Sequence, residues 1–124
     1  MGECGGLMYL GKHIIDANNK KLSMVGLFDF TTSIKIKKLT LGYRKLKPIK
    51  TTSKSRNLIL KGHEFHYSTF STNNELPAWK NSISKKGGVL FKDGFTIRNC
   101  HAFYTHIYWA SNREWFKHLT GSTR

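Results

Sequence analysis

The N-terminal third of the chain alternates short apolar pieces with polar turns, which predicts short elements. Leu7 to Leu10 is apolar and follows a glycine-rich start, so we predict a short helix that ends at Gly11. Ile14-Ile15 is a second apolar piece, followed by an exposed turn. Met24 to Phe28 predicts an inner strand, or a segment that runs under a sheet.

The middle of the chain changes to a period of two, the pattern of strands with one buried face. From Ile34 to Tyr43 apolar residues alternate mostly with lysines, but the phase slips at Lys37-Lys38. This predicts a strand with a bulge or bend that ends at Pro48. A polar loop is predicted over residues 51–55, and Asn57 to Phe70 is the next predicted strand.

The last third predicts a loop, a hairpin, a strand and a helix. Residues 71–86 are polar and contain a proline, which is typical of a loop. Residues 89–98 predict a hairpin because Asp93-Gly94 supplies the positive φ angles of a tight turn. Residues 99–109 predict a last strand, and Ser111 to Glu114 fits a capping box that begins a final helix.

Length and composition allow one domain at most. The 124 residues, 39% of them hydrophobic and 13% aromatic, are typical of a chain that folds, and a partial domain is also possible. The formal net charge of +14 raises nucleic acid or an anionic surface as a partner. Because the lysines are scattered through nearly every segment, we expect no nucleic-acid partner. A basic, mostly β nucleic-acid-binding module stays open as the alternative function.

Cysteine usage and hydropathy favour a cytoplasmic protein. Two cysteines separated by most of the chain do not make a disulfide framework, and nothing at the start is typical of a signal peptide. No apolar run approaches the roughly 20 residues that span a bilayer. We therefore expect reduced thiols, a cytoplasmic location and no membrane partner.

The first candidate for chemistry is Cys4. The pattern Gly2-x-Cys4-x-Gly6 is the cysteine version of the G-x-S-x-G elbow, in which small residues let a strand turn sharply into a helix and leave the nucleophile exposed. The N–H groups and dipole of the following helix would favour the thiolate, the reactive form of cysteine. A flexible glycine-rich start that contains one cysteine is the alternative interpretation.

Several histidines could serve as the base for Cys4. In a Cys–His pair the imidazole takes the thiol proton and later returns one to the leaving amine. His106 is the best placed, near the end of an apolar strand and just before a helix cap. A hydrogen-bonded structural histidine is the alternative.

The segment His63-Glu64-Phe65-His66 superficially indicates metal binding, together with Cys4, Cys100 and His101. However, H-E-x-H is one residue short of the helical H-E-x-x-H motif, and on a strand its two histidines lie on opposite faces. The chain also has no C-x-x-C pair. We therefore expect no metal site.

Four segments together resemble one known family. Gly2 to Leu10 is similar to the nucleophile segment of the cobyrinic acid a,c-diamide synthases, whose glutamine amidotransferase domain belongs to the class I-like, triad-type group. Leu41 to Arg44, Gly62 to Ser68 and Tyr104 to Asn112 look like the family's L-G-Y-R, G-H-E-F-H-Y-S and Y-x-H-x-x-x-x-S segments. The segments occur in the family's order, at about its spacing, and cover nearly the whole chain.

The resemblance implies that Cys4 is the nucleophile that attacks the glutamine side-chain amide and that His106 is its base. Gly5, Glu64 and His66 are implied as residues of the glutamine site. Ammonia would pass to a synthetase site where ATP, with Mg²⁺, activates the a and c carboxylates of cobyrinic or hydrogenobyrinic acid. This chain itself is expected to bind no cofactor, since it contains no phosphate-cradling G-x-x-x-x-G-K-[ST].

Two departures matter. Many class I amidotransferases carry a glutamate two residues after the catalytic histidine; here that residue is Tyr108, which leaves a Cys–His dyad and matches this particular family. The family's nucleophile also follows an ATP-binding synthetase domain, whereas Cys4 is the fourth residue. The resemblance therefore implies an α/β fold, with residues 1–124 as the C-terminal half of a class I glutamine amidotransferase-like domain, a mixed sheet with flanking helices, from a split or truncated gene. A complementary N-terminal synthetase half is expected on another chain, or the chain is an inactive remnant.

Overall fold

The computed structural model describes residues 1–36, 39–53, 55–72, 77–83 and 89–121. Within these ranges the elements are mostly short strands, with a helix near each end. In chain order they are β1 (Gly2–Glu3), α1 (Gly5–Leu10), β2 (His13–Ile15), β3 (Lys21–Ser23), β4 (Phe30–Ser33), β5 (Thr40–Pro48), β6 (Leu60–His66), β7 (Thr69–Thr72), β8 (Trp79–Ile83), β9 (Val89–Asp93), β10 (Phe95–Ile97), β11 (Cys100–Phe103), β12 (His106–Ile107), a 3₁₀ turn (Trp109–Ser111) and α2 (Arg113–Thr120).

The described strands form three sheets. Their strand orders are β1-β11-β10, β12-β6-β5-β8-β9 and β3-β2-β4-β7. β1 runs parallel to β11 and β2 runs parallel to β4, while the other neighbours are antiparallel. Mixed sheets with flanking helices confirm the predicted α/β class.

Two clusters of buried side chains hold the sheets together. The first combines residues of α1, the first and third sheets and nearby loops: Leu7, Phe28, Phe30, Phe95, Ala102 and Tyr104. The second combines residues of the five-stranded sheet, β11 and α2: Leu46, Leu60, Trp79, Phe103, Ile107 and Trp115. Because residues 102–107 contribute to both clusters, the segment that leads into His106 is enclosed between them.

In the N-terminal third the helix prediction is confirmed and the strand prediction is wrong. α1 ends at Gly11, and Ile14-Ile15 lies in β2 before a turn. Met24 to Phe28 forms no strand, since its backbone N–H groups donate to carbonyls at the end of α1 and just after it. Phe28 alone in this segment is fully buried.

The strand predicted from Ile34 is wrong in its first half. β4 ends at Ser33, and Ile34 and Ile36 lie in an exposed turn. The predicted bulge at Lys37-Lys38 lies outside the described residues. The strand itself begins at Thr40.

β5 buries the face opposite to the one that carries Leu41 and Tyr43. Leu41 and Tyr43 are exposed, whereas Arg44 and Leu46 are buried. The Arg44 guanidinium pairs with the buried carboxylate of Glu64 on β6, which explains how a charged residue occupies an interior position.

Two further boundaries differ from the predictions. The strand predicted over residues 57–70 breaks at Tyr67-Ser68, so that β6 and β7 belong to different sheets. The loop predicted over residues 71–86 is wrong at 71–72 and 79–83, which are strands, and residues 73–76 and 84–86 lie outside the described ranges. The loop over 51–55 is confirmed where it is described; Lys54 is not.

Residues 89–98 do not form the predicted hairpin. Gly94 has the expected positive φ, 82°, but β9 pairs with β8 and β10 pairs with β11. Gly94 therefore carries the chain from one sheet to another. The hairpin is the one between β10 and β11, and Arg98 in its turn has a φ of 52°.

The strand predicted over residues 99–109 is broken in its centre. β11 ends at Phe103, and β12 begins at His106 in another sheet. The backbone N–H groups of Tyr104 and Thr105 donate to the Asp93 carboxylate at 3.1 and 3.2 Å, in place of a strand partner. This side-chain contact ends β11 and redirects the chain.

The last helix forms as predicted, with a different cap. The Asn112 side chain accepts from the N–H of Trp115 at 3.0 Å, while the Ser111 hydroxyl accepts from the N–H of Lys61 on β6. Gly121, with a φ of 68°, ends the helix. No described helix has the length and apolarity needed to cross a membrane.

Candidate active site

Cys4 lies at a sharp turn between β1 and α1. Its φ of 50° and ψ of −107° are angles that non-glycine residues seldom adopt, and its N–H donates to the carbonyl of Phe103 at 2.8 Å. Such a conformation costs on the order of 1–3 kcal/mol and persists only where the surrounding structure holds it. The predicted strand–turn–helix geometry is present, whereas the catalytic role of Cys4 stays a prediction.

Gly2 and Gly5 leave space for the backbone and for a ligand at the turn that carries Cys4. A Cβ on Gly2 would lie 2.7 Å from the carbonyl carbon of Gly6, so β1 and α1 approach too closely for a side chain. Gly5, a predicted glutamine-site residue, begins α1 and is exposed. A Cβ on Gly5 would meet nothing within 4 Å. The space beside Cys4 is therefore open at Gly5.

The Cys4 thiol is partly buried, and its Sγ lies 3.9 Å from the backbone oxygen of Phe65 on β6. This is a weak S–H···O contact. Among the described residues no hydrogen bond joins Sγ to the imidazole of His106. Contacts between a nucleophile and its base are often long without substrate and tighten when it binds.

His106 is paired with a second histidine. β12 lies antiparallel to β6 with His106 opposite His63, and the two rings stack with centroids 5.0 Å apart and planes 11° apart. His63 alternates along β6 with Glu64, which is buried on the other face. The two predicted glutamine-site residues of β6, Glu64 and His66, therefore lie on the face opposite to the stacked histidines.

Glu3 connects the nucleophile's strand to the strand of His106. Its Oε1 accepts a hydrogen bond of 3.2 Å from the N–H of Ile107. Burial raises the pKa of Glu3, while the Ile107 N–H and the charges of His106 and His63 act in the opposite direction. The residue before Cys4 thus contacts the residue after His106.

Glu64 is held in the interior by two neighbours. Arg44 Nε lies 2.5 Å from its Oε2, and His66 Nε2 lies 4.0 Å from its Oε1. Burial alone would raise the pKa of Glu64, but the His66 imidazole and the Arg44 guanidinium outweigh it and hold the pKa below the usual range. Glu64 is therefore a carboxylate at neutral pH.

A cavity of about 300 Å³ lies on the Glu64 side of β6. Its lining includes Glu64, His66, Ser68, Asp93 and Tyr104. The ring of His66 stacks on that of Tyr104, with centroids 4.0 Å apart, and its Nδ1 lies 3.0 Å from the Ser68 carbonyl. A carbonyl only accepts, so Nδ1 carries the hydrogen, and the buried Nε2 has no hydrogen-bond partner among the described residues.

Tyr104 stays neutral beside this cavity. Burial raises its pKa to about 12, despite the hydroxyl of Ser68, which donates to the phenol oxygen at 3.2 Å. The phenol can therefore donate to a polar group in the cavity.

Asp93 organises the backbone next to His106. Besides Tyr104 and Thr105, it accepts from the N–H of Gly94 at 2.7 Å and the Thr105 hydroxyl at 2.9 Å. Burial raises the pKa of Asp93 although the N–H donors favour its ionised form. Four hydrogen bonds to one buried side chain fix the position at which the chain enters β12.

The two cysteines differ in their surroundings. Cys100 packs against the first cluster, while Cys4 lies at the turn, and neither is in a disulfide. His101 Nδ1 lies 2.9 Å from the Thr96 hydroxyl. Within the described ranges no group of three or more His, Cys, Asp and Glu side chains is arranged to hold a metal ion.

The family model that describes the CobB/CobQ-like glutamine amidotransferase domain matches residues 1–114. The chain belongs to this family. The match covers every site residue described above, from Glu3 to Ile107.

Several curated relatives of this amidotransferase domain carry the same name. The cobyrinate a,c-diamide synthase of Saccharolobus solfataricus is 42% identical over 88% of this chain and 25% of its own length. The synthases of Sulfurisphaera tokodaii and Listeria monocytogenes are 43% and 32% identical, over 91% and 97% of this chain and 26% and 27% of their own lengths. The chain therefore spans about a quarter of the length of the curated relatives it matches.

Sequence reasoning missed several residues of this amidotransferase site. Glu3 is an acidic residue next to the predicted nucleophile, and this position was the one indication of its role in the sequence. Nothing near His63 indicates that it stacks on His106, because the two lie more than 40 positions apart and only strand register brings them together. Asp93 was interpreted as a turn residue, and nothing local indicates its contacts with Thr105.

Proposed function

We propose that this chain is the glutaminase portion of a cobyrinate or hydrogenobyrinate a,c-diamide synthase, an enzyme of cobalamin biosynthesis. The observation that carries the proposal is the strained turn at Cys4, in a chain matched over nearly its whole length by proteins named cobyrinate a,c-diamide synthase. A cysteine at a strand-to-helix bend is the arrangement of an activated nucleophile.

In the proposed reaction, the Cys4 thiol gives its proton to His106 and Sγ attacks the side-chain amide carbon of glutamine, whose C=O bond opens to an oxyanion. The tetrahedral intermediate collapses when the nitrogen takes a proton from the imidazolium of His106, which breaks the C–N bond and releases ammonia. Water, which loses a proton to His106, then cleaves the γ-glutamyl thioester. Glutamate leaves and the thiol is restored.

The proposed role of His106 as base is supported by strand register. His106 lies opposite His63 on β6, and Cys4 Sγ contacts the carbonyl of Phe65 on the same strand. Positions two residues apart on a strand are separated by about 7 Å. The Cys4 thiol and the proposed base therefore lie beside positions of β6 that are two residues apart.

Gly5, Glu64 and His66 are proposed to border the glutamine site. The cavity beside Glu64 offers a carboxylate that is suited to accept from the α-ammonium group of glutamine. It also offers the His66 Nε2 atom, which has no hydrogen-bond partner among the described residues. Gly5 leaves open space beside the thiol for the amide end.

The ATP-dependent steps are proposed for a complementary N-terminal synthetase half. About three quarters of the Saccharolobus relative lies outside its match to this chain, and no G-x-x-x-x-G-K-[ST] occurs in the 124 residues. There ATP, with Mg²⁺, would activate the a and c carboxylates of the corrin, which ammonia from this chain converts to amides. We propose that this chain acts in the cytoplasm and only together with that half.

The test applies a glutamine-analogue chloroketone to the chain together with a synthetase half, followed by peptide mass mapping. We expect the reagent to mark Cys4, glutamine to protect it, and Cys4→Ala to lose glutamine-dependent amidation while amidation with added ammonium persists. Cys100→Ala is the matched control and should behave as wild type. Preferential marking of Cys100, or glutamine-dependent turnover by Cys4→Ala, would contradict the proposal.

A further inference from the structure

Glu3 joins the strand that leads into Cys4 to the strand that carries His106. Its Oε1 accepts from the N–H of Ile107, 104 positions along the chain. In the described residues β1 and β12 belong to different sheets, so no backbone ladder fixes one against the other. The Glu3 side chain is therefore a direct bridge between the two parts of the proposed catalytic pair.

The same carboxylate lies among positive or protonatable groups. Those that act on Glu3 are the imidazoles of His106 and His63 and the amino group of Met1. Glu3 is partly buried, where charges interact more strongly than in water. The Glu3 carboxylate, bonded to the residue after His106, therefore lies within electrostatic reach of the proposed base.

The position two residues after His106 supplies no carboxylate, because it is the exposed Tyr108. We infer that Glu3 is a positioning residue for the Cys4–His106 pair, a role that rests on the function proposed above. Its carboxylate fixes β12 against the turn at Cys4, and its charge favours the imidazolium form that protonates the leaving ammonia. A carboxylate beside a catalytic histidine orients the ring and stabilises the imidazolium. Here that carboxylate comes from the neighbour of the nucleophile.

Two substitutions distinguish the hydrogen bond that Glu3 accepts from the effect of its charge. Glu3→Gln keeps an oxygen that accepts from the Ile107 N–H and removes the charge, whereas Glu3→Ala removes both. Glu114→Gln is the matched control, because Glu114 is exposed and its carboxylate pairs with Lys117 of the same helix, at 3.4 Å.

Two measurements do not depend on turnover. Hydrogen exchange at the Ile107 N–H reports the bridge, and the ring chemical shifts of His106 near pH 6.5, about where a free imidazole is half charged, report the imidazolium fraction. For Glu3→Gln we expect unchanged exchange and an imidazolium fraction lower by about twofold or more. For Glu3→Ala we expect the same loss of charge and exchange about tenfold faster.

In the chain combined with its synthetase half, both variants should lower kcat for glutamine about tenfold at nearly unchanged KM, because Glu3 acts on the proton transfer rather than on glutamine binding. A Glu3→Gln variant with wild-type imidazolium fraction and kcat would overturn the charge role. Unchanged Ile107 exchange in Glu3→Ala would overturn the bridge. Failure of the proposed function is separate, since it appears as turnover retained by Cys4→Ala and leaves both Glu3 measurements unaffected.

Discussion

The imidazole rings of His63 and His106 lie face to face across β6 and β12, with centroids 5.0 Å apart. Strand register causes this contact, since β12 pairs antiparallel with β6 and His106 lies opposite His63. The His63 ring therefore packs on one face of the proposed base and restricts the orientations that the His106 ring can take.

His106→Asn should abolish glutamine-dependent amidation and leave amidation with added ammonium intact, because only the glutaminase step needs this base. His63→Asn should keep activity within about tenfold of wild type, since it removes a ring that packs on the proposed base and not the base itself. The measurement is kcat of each variant with glutamine and with added ammonium as the nitrogen source. His118→Asn, on the exposed side of α2, is the control. Full glutamine-dependent activity in His106→Asn would show that another residue is the base.

Gly2→Ala and Gly5→Ala should have opposite outcomes although they lie three positions apart. The new Cβ at Gly2 would overlap the carbonyl of Gly6, so we expect a loss of about 1–3 kcal/mol in the free energy of unfolding. The Cβ at Gly5 meets no atom, so alanine there should be neutral or stabilise by about 0.5–1 kcal/mol. Urea unfolding measures both. Equal losses would mean that the close approach of β1 and α1 does not require glycine.

Glu64 should make the stability of the fold depend on pH on the acid side. The pKa of Glu64 is lowered, so its contribution is fully present above the unfolded-state value of about 4.3 and is lost as the pH falls through the lower folded-state value. Urea unfolding from pH 7 to about pH 2.5 measures this. In Glu64→Gln the acid-side loss attributable to this group should be absent.

The same variant should also be less stable at neutral pH. Removing the Glu64 charge leaves the buried Arg44 guanidinium without its ionic partner, which typically costs about 3–5 kcal/mol. Glu114→Gln breaks an exposed pair with Lys117 and should cost less than about 1 kcal/mol. Equal costs for the two variants would argue against a buried ion pair at Glu64.

Local patterns in the sequence predicted the elements that depend on local physics. Glycines at alternate positions around Cys4 predicted the turn, and a polar cap with Gly121 predicted α2. The alternation along residues 60–66 placed His63 and Glu64 on opposite faces, as observed. These features need only neighbours a few positions away.

The predictions that were wrong concern features that depend on partners far along the chain. Nothing near Gly94 indicates that β9 and β10 pair with different strands. Leu41 and Tyr43 of β5 face outward because the opposite face carries Arg44, which pairs with Glu64 20 positions away. The assembly of Glu3, His63 and His106 likewise follows from strand register, which the residue pattern alone does not specify.

Asp93 should prove essential to the position of His106 although it does not touch it. Its Oδ2 accepts from both the N–H and the hydroxyl of Thr105, so in Asp93→Asn an amide NH₂ at that place would face the N–H donor. An unsatisfied buried group typically costs about 1–3 kcal/mol, and the break between β11 and β12 would lose its support. We therefore expect reduced stability, together with a kcat for glutamine lowered more than KM is raised.

Asp16→Asn is the control for this change. The Asp16 side chain also accepts backbone N–H groups, from Asn18 at 2.9 Å and Lys20 at 2.8 Å, but through one oxygen in an exposed turn. An amide oxygen can replace that carboxylate oxygen, so the cost should stay near or below about 1 kcal/mol, with unchanged kcat. Urea unfolding and glutamine-dependent turnover of both variants decide the matter. If Asp93→Asn matched Asp16→Asn in both measurements, the buried carboxylate would not be what sets the entry of the chain into β12.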